Sequence, residues 1–357
     1  MSLAERIAQI IEMQGPISVA QFMSIALHDP VNGYYAQHDP IGIGGDFTTA
    51  PEISQMFGEL IGAWIVQVWR EQGAPSPARL VELGPGHGTL MADVLRAARL
   101  DAEFLSSIEI TLIETSARLR AAQAKRLKDT AVVIHWAERF DDSLADRPLF
   151  VLANEFFDAL PIRQFVHTER GWCERMVGLD RQRSLAFALV PLSRQLNIPA
   201  ERGRPRGGDI CETSPGGEAI ILQIANAIAQ RGAALIFDYG YGANAGFGET
   251  LQAVAAHKFA NVLQKPGEAD LSSHVDFAAL ARAAENTGTK TYGPVTQGAL
   301  LEALGIEVRA ECLARANPEQ ADSIAAAVKR LISSAQMGTL FKALAILPKG
   351  APRPPGF

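Results

Sequence analysis

The order of elements along the chain predicts an α/β fold, with a mostly parallel sheet covered by helices on both faces. Three observations predict it. Short apolar runs alternate with helical patterns between residues 79 and 153. The first run leads into a glycine-rich turn, Gly84-Pro85-Gly86-His87-Gly88. The second ends at Glu114, where a doubly wound sheet would bring an acid beside that turn.

The elements follow in order. Leu3, Ile7, Ile10 and Ile11 share one helical face, predicting a helix over 3–13 that Gly15-Pro16 ends. Ser18 reads as the N-cap of a second helix reaching about residue 27. Residues 28–50 are rich in Gly, Pro, Asp and Tyr and read as an ordered loop. Pro51-Glu52 opens a long helix over about 53–72, with proline and an acid where a first turn favours them. Strands are predicted at 79–83, 109–113, 131–134 and 149–153, with helices reaching about 98 and spanning about 116–128.

The rhythm then breaks. Residues 162–191 suggest an antiparallel meander, and the Arg-, Gly- and Pro-rich stretch 194–215 an exposed loop. A helix over 217–230 and a strand over 233–238 resume the pattern. Helices at 276–285, 297–304 and 319–333 and a final strand at 341–347 complete it. The resulting organisation is an N-terminal helical and lid region over 1–75, and an α/β domain over 76–348 with an insertion at about 162–215. A tail over 349–357, with a frayed end expected from its prolines, follows.

Composition narrows the function. The 357 residues carry 48% hydrophobic side chains, enough for a sizeable core. A net charge of −6 argues against a nucleic-acid partner held by a broad basic surface. The three cysteines lie far apart and the histidines lack ligand spacing, so no metal site is expected. No apolar run approaches the roughly 20 residues of a membrane span. Acids in the first helix argue against a secretory or mitochondrial leader, and the expected location is the cytoplasm.

The glycine turn carries the first chemical signal. Without Cβ atoms, Gly84, Gly86 and Gly88 let a ligand approach the backbone at the start of the next helix. The dinucleotide fingerprint has its third glycine one place later, where this chain has Thr89. Glu82 ends the strand before the turn, and Glu114 can accept hydrogen bonds from both ribose hydroxyls while repelling a 2′-phosphate. Either feature alone also fits a plain loop or a helix start. Together they favour an S-adenosylmethionine-type cofactor over NAD. Trp136, just beyond the third strand, joins Glu82, Gly84, Gly86, Gly88 and Glu114 as a cofactor-binding candidate.

The fourth strand runs into Asn154-Glu155-Phe156-Phe157-Asp158-Ala159-Leu160-Pro161. Strand ends on this edge carry chemistry in open α/β sheets. Asn154-Glu155-Phe156-Phe157 is similar in form to the Asn/Asp-Pro-Pro-Tyr/Phe tetrad of amino-group methyltransferases, but lacks its prolines. Methyl transfer from a sulfonium is an in-line displacement, and a guanidinium or amine nucleophile needs carboxylates to orient it and take its proton. Asn154, Glu155 and Asp158 are therefore the catalytic candidates, with Asn154 also on the cofactor side. Asn154 capping the loop and a solvated Asp158 would be the plainer alternative. The loop Gly42-Ile43-Gly44-Gly45-Asp46-Phe47-Thr48-Thr49-Ala50-Pro51-Glu52 reads either as a flexible hairpin or as a lid over the cofactor. His274 and Asp276, at a helix start, are candidates for the substrate side, although Asp276 fits an N-cap and His274 a structural histidine as well.

These segments resemble the MidA-like methyltransferases, which include the mitochondrial complex I assembly methyltransferase. The resemblance rests on 45–59 (Gly45-Asp46-Phe47-Thr48-Thr49-Ala50-Pro51-Glu52 onward), the turn at 80–90, the run from Asn154 to Pro161, and His274-Val275-Asp276-Phe277. It implies a Rossmann-like, seven-stranded class I methyltransferase fold with an N-terminal helical addition. Gly45, Asp46 and Thr48 become cofactor-binding candidates through it. For the mitochondrial member, in the matrix, it implies symmetric dimethylation of an arginine on a complex I core subunit. An arginine-bearing respiratory subunit is accordingly the expected partner, and a homodimer is compatible with the sequence. The alternatives left open are a methyltransferase for a small molecule or another residue, and a non-catalytic assembly factor that binds the cofactor.

Overall fold

The structure, a computed structural model, describes residues 1–38, 49–193, 196, 198–255 and 258–357. They form two compact units interleaved along the chain. The first comprises 1–47, 158–218 and 241–276, and the second 48–157, 219–240 and 277–357.

The second unit is built on one mixed sheet. Its seven main strands, in chain order, are β1 (Ala78–Leu83), β2 (Ile108–Ile113), β3 (Ile134–Ala137), β4 (Leu149–Asn154), β5 (Gly232–Tyr241), β6 (Thr289–Thr296) and β7 (Phe341–Pro348). They lie in the order β6-β7-β5-β4-β1-β2-β3. β1 to β5 pair in parallel, whereas β7 runs antiparallel between β5 and β6. This is the α/β, Rossmann-like class I methyltransferase arrangement. β1, β4 and β5 are buried on both faces and read as near-continuous apolar runs.

Helix Gln55–Glu71 belongs to this unit, not with the N-terminal helices among which the sequence reading grouped it. Its side chains are buried on nearly every side, from Met56 and Phe57 to Trp64 and Trp69. Gly58 and Gly62 let it lie directly on helix Thr89–Ala98. A Cβ on Gly62 would stand 2.7 Å from the Val94 carbonyl oxygen, and one on Gly58 2.5 Å from Asp93 Cβ. The helix is also shorter than expected. Ser54 is extended (φ −161°) and caps Met56, which separates off the short turn Ala50–Ile53.

The first unit joins helices Leu3–Gln14 and Val19–His28 to a five-stranded antiparallel sheet and a small three-stranded one. Both helices start with capping boxes, Ser2/Glu5 and Ser18/Gln21. The expected meander is present as Arg163–Thr168, Gly171–Leu179 and Leu185–Pro191. Strand Ile210–Thr213, inside the stretch read as loop, pairs with Arg163–Thr168. Ile7, Phe22, Met23, Val177 and Leu271 form this unit's core.

Three further differences have local causes. β3 starts at Ile134, where the sequence placed the strand's end, because its ladder partners are Ile110 to Ile113 and Val133 is left 57% exposed. β6 was not foreseen, since an edge strand containing Gly293-Pro294 carries no strand signal. The tail is packed, not frayed: Trp64 donates its indole N–H to the Pro355 carbonyl at 3.1 Å, and the Phe357 ring meets Trp64 edge-on.

Candidate functional site

Parallel pairing brings the ends of four strands to one edge. Leu83 aligns with Ile113 on one side and Ala153 on the other, and Leu112 aligns with Trp136. The next residues out are Gly84, Glu114 and Asn154. Gly84, Gly86 and Gly88 all have positive φ (59°, 52° and 76°), a conformation costly for residues with a Cβ. The Gly88 N–H closes the turn on the Pro85 carbonyl at 2.7 Å, and helix Thr89–Ala98 starts there.

Glu114, 9% exposed, stands beside this turn. Its Oε1 accepts the Ser116 N–H at 2.8 Å. Burial raises its carboxyl above the usual range, against the opposing pull of the Ser116 and Thr115 N–H groups and Gln123. Gln123, fully buried on helix Ala117–Arg126, joins three of the predicted residues. Its Nε2 donates to the Gly86 carbonyl at 2.8 Å and to Glu114 Oε2 at 3.3 Å, and its Oε1 accepts the Trp136 indole N–H at 2.8 Å.

The segment after β4 is held from two sides. Glu155 adopts φ 51°, and its N–H donates to the Phe237 carbonyl at 2.9 Å. Its Oε1 accepts from Asn154 Nδ2 at 3.2 Å and from the Ala50 N–H at 3.3 Å. Phe156 lies over the turn, so a Cβ on Gly84 would meet its ring at 3.0 Å. The fully buried Asp238 accepts the Phe157 and Tyr239 N–H groups, both at 2.9 Å. Glu52 accepts the Thr89 hydroxyl, which ties the short turn Ala50–Ile53 to the start of helix Thr89–Ala98.

Two buried oxygens at this edge, Glu82 Oε2 and Asn154 Oδ1, have no hydrogen-bond partner among the described residues. Glu82 is 2% exposed, and burial pushes its carboxyl up to about 8. Buried acceptors call for donors. A ligand bearing an ammonium group and a ribose diol supplies them, whereas a phosphate brings further acceptors and negative charge. This set of acceptors therefore fits an S-adenosylmethionine-like group better than a dinucleotide.

Glu82, Gly84, Gly86, Gly88, Glu114, Trp136, Asn154 and Glu155 thus all lie in the second unit. Asp158, His274 and Asp276 lie in the first. There the Asp158 carbonyl accepts the Ser273 N–H at 3.0 Å, and the His274 N–H donates to Thr250 Oγ1 at 2.9 Å. Asp276 pairs with the largely buried Arg202, whose guanidinium also reaches the Tyr241 hydroxyl at 3.3 Å. Burial pushes Tyr241 up to about 12. Gly45, Asp46 and Thr48 lie outside the described residues. The sequence reading missed Gln123 and Asp238. Both belong to ordinary helix or strand patterns, and only their uncharacteristic burial as polar residues distinguishes them.

Residues 60–295 match the family described as S-adenosyl-L-methionine-dependent methyltransferases. The chain is 36% identical to the mitochondrial protein arginine methyltransferase NDUFAF7 of Xenopus tropicalis, over 95% of this chain and 84% of that one. It is 39% identical to the Drosophila melanogaster homolog, over 97% of this chain and 85% of that one. A Burkholderia thailandensis protein solved with bound S-adenosyl-homocysteine has a similar structure, with a TM-score of 0.89 at 28% identity, covering 99% of this chain and 93% of that one.

Proposed function

Because this chain belongs to the family of S-adenosyl-L-methionine-dependent methyltransferases, we propose that it methylates an arginine side chain on a protein of the respiratory complex I type. The relatives named as protein arginine methyltransferases, similar over nearly the whole chain, support this choice of acceptor. The observation that carries it is Glu155, which stands at the end of β4 beside Asn154 on the edge that bears the glycine turn.

When bound, the cofactor supplies a methyl group on an electrophilic sulfonium. The protein's residues do the rest by placement. Gly84, Gly86 and Gly88 give the cofactor access to the backbone, and Glu82 offers a buried carboxylate to its ammonium group. Glu114 would take the ribose hydroxyls. A guanidinium stays protonated in water, so its nitrogen becomes nucleophilic only as a proton is drawn away. Glu155 can accept that guanidinium's N–H groups, orient one nitrogen toward the methyl, and receive the proton. Asn154 and Asp158 remain proposed as catalytic residues with Glu155, and His274 and Asp276 are proposed for the protein substrate's side. We place the reaction in the bacterial cytoplasm; a homodimer is compatible with it.

The test is incubation of the protein with isotopically labelled S-adenosylmethionine and the candidate complex I subunit, followed by mapping of the label. Label on an arginine nitrogen, lost in Glu155→Gln, is expected. Label on a lysine, a carboxylate or a small molecule would overturn the arginine assignment.

A further inference from the structure

The side-chain amide of Gln123 makes three hydrogen bonds, all to groups of the candidate cofactor site. Trp136 Nε1 is a donor only, so the amide oxygen must face it. That fixes the amide's orientation and turns its two N–H groups toward the Gly86 carbonyl and Glu114 Oε2. Glu114 Oε1 is taken by the Ser116 N–H. The Glu114 carboxylate is thus held at both oxygens, one by its own loop and one by Gln123. Gln123 has no exposed surface and lies 9 residues from Glu114 and 37 from Gly86. A buried amide with both N–H groups and its oxygen hydrogen-bonded is not a packing residue by default. Leucine or methionine would fill the same space without desolvating an amide.

We propose that Gln123 is the positioning residue of the cofactor site, aiming the Glu114 carboxylate at the ribose and locking it to the glycine turn through Gly86. Trp136 acts through it by setting the amide's orientation. This rests on the reading of Glu114 as the ribose acceptor. Without Gln123, Glu114 gains freedom to rotate, and the ribose loses a preset acceptor while Glu82 still serves the ammonium group. The loss should therefore fall on ribose discrimination more than on affinity at large.

The experiment is calorimetry with S-adenosylhomocysteine and its 2′-deoxyribose analogue, on the parent protein and on Gln123→Met, Gln123→Glu and Glu114→Ala. The parent should bind the deoxy analogue about tenfold or more weakly, as loss of a hydrogen bond to a charged acceptor demands. Glu114→Ala should erase most of that ratio. Gln123→Met and Gln123→Glu should each reduce it to about threefold or less. Gln123→Glu keeps the acceptor for Trp136, so its indole emission should match the parent, whereas Gln123→Met should shift it. Equal weakening of both ligands by the two Gln123 variants, with the ratio kept, would reduce Gln123 to a structural residue and overturn the proposal. A full ratio retained in Glu114→Ala would instead remove the ribose reading of Glu114, and the proposal with it.

Discussion

Asp238 holds Phe157 in place: its Oδ2 accepts the Phe157 N–H at 2.9 Å, while its Oδ1 accepts the Tyr239 N–H at the same distance. The two residues lie 81 positions apart, Phe157 three residues beyond the end of β4 and Asp238 in the neighbouring parallel β5, one residue past their last paired position. One buried carboxylate thereby ties the segment bearing Asn154 and Glu155 to the end of β5.

This relationship predicts a large effect of Asp238→Ala. Two buried N–H groups would lose their acceptor, at about 1–3 kcal/mol each. Chemical denaturation should show a loss of about 2–5 kcal/mol. Asp238→Asn keeps one carbonyl oxygen and should lose about half as much. A loss below about 1 kcal/mol in the alanine variant would show that the segment is held by other means.

Gly86→Val should abolish binding of S-adenosylhomocysteine. At φ 52° a β-branched residue is strained, and its methyl groups would stand where a ligand approaches the turn. Calorimetry with unchanged affinity would contradict the placement of the cofactor at this turn. Gly84→Ala should be milder, because its added carbon meets the Phe156 ring at 3.0 Å and a ring can shift.

Glu82 predicts a pH signature. Its carboxyl is raised from 4.5 to about 8 by burial. Between these values the unfolded chain has released this proton and the folded chain retains it. Its contribution to stability is complete below the unfolded value and is lost as pH rises through the folded one. The slope is at most about 1.4 kcal/mol per pH unit. Glu82→Gln cannot ionise, so its stability relative to the parent should rise from pH 5 to 8 and then level off, as denaturation at several pH values would read. Binding a ligand ammonium favours the ionised form. At pH 7 the parent should therefore release close to one proton on binding S-adenosylhomocysteine. Calorimetry in two buffers of different ionisation enthalpy measures this release, and buffer-independent heats would separate Glu82 from the ligand.

How legible each feature was depended on the range of the interaction behind it. β1, β2 and β4 and the glycine turn were readable because they are local. An apolar run of strand length, a required positive φ and a cap each act within a few residues, and β4, buried on both faces, shows no competing polar pattern before Asn154. β3 and β6 resisted because they are edge strands, stabilised by one neighbour that the local sequence does not name. The tail's prolines suggested fraying, yet a carbonyl at Pro355 and a ring at Phe357 find Trp64, 291 residues away from the first of them.

The sequence by itself determined the parallel sheet, the chemistry of its first turn and the acid at the end of β2, since these follow from strand period, glycine backbone freedom and chain order. Only the tertiary structure decided which buried polar groups serve them. Gln123 and Asp238 gain their importance from acceptors and donors on other elements, and hydrogen-bond demand in a low-dielectric interior is met across space, whatever the spacing along the chain. Chain spacing was no guide to the three predicted catalytic residues either: Asn154 and Glu155 belong to the sheet's unit, and Asp158, three residues on from Glu155, to the other.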